Sequence, residues 1–254
     1  MATAVTFKLV SGFEIDPVEM ALLGQKAENQ FVGVNSGILD QYSSTMGQEG
    51  FALLLDCRQL TSRTAQIAGD LQVVICDTQA KRELAGSEYA QRRSQCEQGV
   101  QLLRQFYPEI TSLRDVSLER FKAYETDLPE VVARRCRFVI EENQRVLDLA
   151  EVLPTGDPDR LADLTSASYV GARDLYEIGA PAMESMMKAM LSGPGVIGAR
   201  QAGAGFGGCM VALVEKDCVL DFSKHVRQAY SASTGLKPHV YPTAATPGAG
   251  PVEL

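Results

Sequence analysis

Between Gly198 and Cys209 the chain reads GARQAGAGFGGC, with five glycines between positions 198 and 208 and short apolar runs on either side. A backbone so poor in side chains bends sharply and approaches its neighbours closely. Gly203, Gly205 and Gly208 satisfy the GxGxxG spacing of a dinucleotide-binding turn. That turn needs a strand before the glycines and a helix opening inside them. Here CMVALV follows at once from position 209, strand-like and without a helix cap, so the dinucleotide reading fails. Two readings stay open on these residues alone: a glycine-rich hairpin between two strands, or a backbone loop that packs close to a bound sugar or nucleotide phosphate.

The rest of the chain fixes the fold class. The apolar runs FALLLD (51–56) and LQVVICD (71–77) read as buried strands. Helical patterning covers Ser87 to Phe106, Val131 to Leu153 and Ala162 to Leu191, the last broken near Gly179, Ala180 and Pro181. Val196 to Gly203 and Cys209 to Glu215 read as strands, Val219 to Ala232 as a helix, and His239 to Pro242 as a last strand. Strand, helices, strand, strand, helix, strand is the order of a ferredoxin-like α+β domain enlarged by extra helices. Ahead of it, residues 2 to 10 look like an apolar helix with no capping residue. Asp16 and Pro17 look like the cap and first position of a second helix running to about Phe31.

Composition narrows the partners. A formal charge of −8 argues against nucleic acid or an anionic membrane surface as the partner. Backbone N–H groups can still hold an anion on an acidic protein. The six cysteines (57, 76, 96, 136, 209, 218) show no CxxC spacing and there are two histidines, His225 and His239, so no metal site is expected. The cysteines read as reduced, apolar packing residues of a cytoplasmic protein. No apolar run reaches membrane-spanning length and the first residues lack signal-peptide features. Met183, Met186, Met187 and Met190 read as a core stripe. Arg92, Arg93, Arg134 and Arg135 read as solvated helix faces.

A carboxylate supplies the chemistry. In SGILDQ (36–41), Asp40 sits three residues after Gly37 among small and apolar neighbours. Partial burial there would make its protonation depend on a cationic partner, the setting of a general base. Phosphoryl transfer to a hydroxyl needs positioning, charge neutralisation and an acceptor for the hydroxyl proton. Asp40 suits the last role, although an aspartate in such a place, taken alone, is more often a helix N-cap than a catalyst.

Taken together, the two strings resemble galactokinases, members of the GHMP small-molecule kinase superfamily. SGILDQY resembles the family's C/S-G-I-M-D-Q-F/Y element, and GARQAGAGFGGC its third motif, G-A/S-R-M-T-G-A/G-G-F-G-G-C. QKAEN (25–29), LLLDCR (53–58) and SEYAQRRSQCE (87–97) look like galactokinase segments in the same order. The resemblance implies a two-lobed α+β fold, with residues 1–69 in the N-terminal lobe and 70–254 forming the C-terminal domain. It also implies ATP-dependent phosphorylation of galactose at its anomeric hydroxyl, with Mg2+. Asp40 matches the catalytic base, Gly37 and Tyr89 match sugar contacts, and Gly203, Gly205, Gly207 and Gly208 match the loop shaping the nucleotide side of the cleft. A non-catalytic sugar-binding relative and a sister N-acetylgalactosamine kinase remain as alternatives, and a monomer is expected.

Departures from the pattern are local. Asn35 stands where proline is common, Leu39 replaces methionine, and Gln201 and Ala202 replace Met-Thr. Two further family strings, the sugar element G-R-x-N-L-I-G-E-H-T-D-Y and the phosphate loop P-x-G-x-G-L-S-S-S-A, do not occur in these 254 residues. The expectation is therefore a fragment with little activity alone and with apolar surface left on its first lobe.

Overall fold

The computed structural model describes residues 1–33, 36–80, 85–203 and 205–251. They form two compact units, Met1–Ala68 with Ala244–Leu254, and Gly69–Thr243.

The first unit holds helices α1 (Ala2–Ser11), α2 (Pro17–Ala27) and α3 (Leu39–Met46) and the hairpin of β1 (Phe51–Asp56) with β2 (Thr61–Gln66). Helix α2 starts where the sequence indicates: Asp16 Oδ1 accepts from Val18 N at 2.8 Å and Glu19 N at 3.2 Å, and Pro17 occupies the first turn. Its last turn widens into a π-helical turn, Glu28–Val32, closed by Gly33. A small core of Ala21, Ile38 and Tyr42 joins α2, α3 and the hairpin. Helix α1 buries none of its residues, and Phe7, Val10 and Phe31 are exposed.

The chain's tail, expected with the second domain, packs with the first unit instead. Gly50 N donates to Ala245 O at 3.2 Å, Gly248 N to Gly47 O at 2.9 Å and Ala249 N to Ser44 O at 2.7 Å. These backbone bonds give the Gly/Pro tail partners that its composition does not announce.

The second unit is built on an antiparallel sheet of β3 (Leu71–Asp77), β4 (Val196–Gln201), β5 (Cys209–Glu215) and β6 (His239–Thr243), in the order β4-β5-β3-β6. Numbered from β3, that is 2-3-1-4, the ferredoxin-like arrangement. The excursion between β3 and β4 carries α4 (Ala85–Leu103), α5 (Leu118–Tyr124), α6 (Glu130–Val152), α7 (Pro158–Asp174) and α8 (Pro181–Leu191), and α9 (Val219–Thr234) links β5 to β6. The methionine stripe of α8 is buried with Phe222, Val226 and Tyr230 of α9 against Val74, Ala199, Met210 and Ala212 of the sheet. A second core joins α4, α5 and α6 around Leu103, Phe121 and Cys136.

Candidate active site

Asp40 lies in the first turn of α3, one position past Leu39, and Ile38 rather than Asp40 is the cap residue. Its side chain is exposed, which corrects the expectation of partial burial. Among the described residues its carboxylate has no hydrogen-bond or ion-pair partner; only its backbone oxygen is used, accepting from Ser43 Oγ at 3.3 Å. Of its neighbours on the helix Tyr42 is buried, while Leu39 and Ser43 are exposed. Leu39, Tyr42 and Ser43 line a cavity of about 250 Å3 with Phe51, Leu53 and Leu55, and Tyr42 Oη bonds Ser62 Oγ at 3.1 Å.

The segment around Asp40 is held by α2 and the π-helical turn that follows it, through three polar residues of the QKAEN string. Gln25 Nε2 donates to Ser36 O at 3.2 Å, while Asn29 Oδ1 accepts from Ser36 N at 3.1 Å and Ser36 Oγ at 3.2 Å. Gln41 Nε2 donates to Glu28 Oε2 at 2.5 Å. The positions 25, 28 and 29 share one helix face by their i, i+3, i+4 spacing, so the signal was present in the sequence as a polar stripe. Gly37 is different. A Cβ built there would meet nothing within 4 Å, and its φ lies outside the left-handed region. Neither conformation nor packing among the described residues requires a glycine at 37. Asn35 lies outside the described residues.

On the second unit, Tyr89 stands on α4 with its ring 42% exposed. Arg92, one turn further along α4, is buried, and so is Arg135 on α6, which corrects the reading of both as solvated. The reason is the turn after α7. Arg92 Nε donates to Tyr176 O at 2.8 Å and its Nη2 to Glu177 O at 3.2 Å, while Arg135 donates to Leu175 O and, at 2.5 Å, to Glu177 Oε2. Backbone carbonyls, the side-chain oxygens of Gln91 and Gln95, and the acids Glu88 and Glu177 satisfy the guanidinium groups where water is excluded. Arg93 does stay exposed, paired with Glu97 at 3.0 Å.

The glycine loop leans on the same turn. Gly203, Gly205, Gly207 and Gly208 all have positive φ, and so does Phe206 at 59°. Phe206 N donates to Ile178 O at 2.8 Å, Gly207 N approaches Met183 Sδ at 3.1 Å, and Thr78 N donates to Gly208 O at 3.1 Å. Two of the loop's amides are thus committed to the scaffold, so they form no phosphate cradle. Nor do three His, Cys, Asp or Glu side chains converge as a metal site among the described residues.

Residues 1–48 match the description "GHMP kinases N terminal domain" and residues 149–231 match "GHMP kinases C terminal". A galactokinase of Roseiflexus sp. (strain RS-1) is 41% identical over 252 residues, covering 99% of this chain and 64% of that protein. The chain belongs to the GHMP kinase family. The crystal structure of Lactococcus lactis galactokinase complexed with galactose superimposes with a TM-score of 0.87 at 33% identity, covering 99% of this chain and 64% of that one. L. major mevalonate kinase in complex with R-mevalonate, at 18% identity, shares the fold with a TM-score of 0.58. This GHMP kinase chain thus spans about two thirds of the length of the galactokinases it resembles. No helix among the described residues is long and apolar enough to cross a membrane.

Proposed function

We propose that the site these residues build serves a cytoplasmic galactokinase, with ATP and Mg2+ as the phosphoryl donor and its metal. The observation that carries this reading is the pairing of an exposed Asp40, whose carboxylate has no partner among the described residues, with a glycine at 37 that those residues do not crowd. A small residue where nothing crowds it leaves room for a ligand, and a carboxylate three residues on can take the proton from that ligand's hydroxyl. The likeness to two galactokinases, one of them holding galactose, supports the sugar as that ligand. In this reading Asp40 accepts the proton of the anomeric hydroxyl, Gly37 lets the backbone approach the sugar ring, and Tyr89 contributes a second sugar contact. The glycine loop acts through its shape.

Calorimetric titration with galactose and ATP-dependent formation of galactose 1-phosphate test the proposal. Gly37→Ala is expected to weaken galactose binding about tenfold, the cost of a misplaced methyl of ~1.4 kcal/mol, with the unfolding midpoint unchanged or slightly raised. Asp40→Asn is expected to keep galactose binding and abolish turnover wherever turnover is measured. Turnover retained by Asp40→Asn would remove Asp40 as the base. Galactose bound and never phosphorylated would favour a sugar-binding protein, and preference for N-acetylgalactosamine would favour the sister kinase.

A further inference from the structure

Two non-glycine residues in the left-handed region meet beside the glycine loop: Glu177 at φ 55° and Phe206 at φ 59°. The bond from Phe206 N to Ile178 O, the residue after Glu177, joins them. Such strained positions persist only where the surroundings over-determine them. Around Glu177 the surroundings are three guanidinium groups. Arg134 Nη1 lies 2.9 Å from Glu177 Oε1, Arg135 Nη2 lies 2.5 Å from Oε2, and Arg92 Nη2 lies 3.9 Å from Oε2. The Arg92 and Arg135 side chains are 9% and 2% exposed. Arg92 also meets Glu88 at 3.4 Å, so the cluster carries three positive and two negative charges.

This arrangement is more than a helix tie. Arg92 comes from α4, the helix that carries Tyr89, and Arg134 and Arg135 come from α6. All three converge on a turn whose next residue, Ile178, is the surface on which the glycine loop is moulded. A Cβ at Gly205 would lie 2.5 Å from Ile178 O and 2.7 Å from Ile178 Cβ. We infer that Glu177 is a positioning residue: its carboxylate, gripped by Arg92, Arg134 and Arg135, sets the place of Ile178 and through it the conformation of the 203–208 loop. The Arg135 hydrogen bond, with the charges of Arg135, Arg134 and Arg92, holds the Glu177 carboxyl below the usual glutamate range although burial opposes this. The group therefore stays anionic at neutral pH. The consequence for catalysis rests on the kinase reading of the loop; the positioning itself does not.

Hydrogen exchange by NMR on the full chain, without sugar or nucleotide, separates the two. Glu177→Gln is expected to speed exchange of the Phe206 amide at least tenfold while Val74 and Ala212 in the sheet keep their rates. Glu177→Gly relieves the left-handed backbone but lacks the carboxylate, and is expected to free Phe206 as Gln does. Glu177→Asp should restore part of the protection. Removing the acid leaves Arg135 buried with less compensation and so endangers folding. Arg134→Gln, which cuts one half-exposed arm, is the milder test and should give a smaller acceleration at Phe206 alone. Unchanged Phe206 exchange in Glu177→Gln or Arg134→Gln overturns the inference. So does an equal acceleration at Val74 and Ala212, which marks general destabilisation, or wild-type protection in Glu177→Gly, which marks a purely backbone role. A chain that never phosphorylates galactose leaves each of these outcomes readable.

Discussion

Replacing Gly205 by alanine combines two penalties, a left-handed backbone and a close contact. At φ +83° an L-residue incurs about 1–2 kcal/mol. The new methyl would also press on Ile178 O at 2.5 Å and on Ile178 Cβ at 2.7 Å, and neither is the far end of a flexible side chain. Forcing a carbon into such a packed place costs ~1–3 kcal/mol. Loss of unfolded-chain freedom returns only about 0.4–1 kcal/mol. The net expectation is roughly 2–4 kcal/mol of destabilisation. Gly203 serves as control, with φ +68° and nothing within 4 Å, where the same arithmetic leaves about 1 kcal/mol or less. Gly37, with open space and ordinary φ, should be neutral or slightly stabilised. Thermal unfolding of the three variants, followed by far-UV circular dichroism, reads the series. At about 2–4 °C per kcal/mol for a unit of this size, Gly205→Ala should lower the transition of the Gly69–Thr243 unit by roughly 4–16 °C. A Gly205→Ala midpoint equal to that of Gly203→Ala would refute the claim that the loop is moulded on Ile178.

Asn29→Ala removes the acceptor for both Ser36 N and Ser36 Oγ and leaves a part-buried N–H unpaired, so the first unit should lose about 1–3 kcal/mol in urea unfolding and bind galactose more weakly. Asn29→Asp keeps an acceptor oxygen there and should recover most of both; equal losses in the two variants would show that Asn29 does not act by accepting from Ser36. Thiol labelling should divide the cysteines by burial: the Cys76 and Cys136 thiols are pushed up to about 12 by desolvation, whereas Cys57 is exposed. Mass spectrometry of the native protein after N-ethylmaleimide at pH 7–8 should find Cys57 modified, with Cys76 and Cys136 untouched until denaturant is added, and early modification of either would contradict their packing.

Strands β3 and β5 were legible because they are short apolar runs bounded by a glycine or acids, and β5 shows the period-2 burial such a run implies. Strand β2, TSRTAQ, was not, since five of its six residues face outward or half outward and its place is set by pairing with β1 rather than by its own pattern. The same distinction runs through the candidate site. Asp40 and Gly37 stand in one contiguous string, so a sequence can nominate them as candidates, but the exposure of Asp40 was not legible there. The burial of Arg92 and Arg135 is not local: their acceptors lie at Leu175, Tyr176 and Glu177, some 40 and 85 residues away, and adjacent arginines on a helix otherwise point to solvent. Nor does any rule of composition place a glutamate at positive φ with three guanidinium groups converging on its carboxylate. What a string shows, then, is a candidate reactive group, and what it hides is a long-range charge cluster such as the one next to the glycine loop. It follows that substitutions at 92, 135 and 177 should act on the loop as a unit, so that a double-mutant cycle between Arg135 and Glu177, read at the Phe206 amide, is non-additive. Additive effects there would return the two residues to the status of separate packing groups.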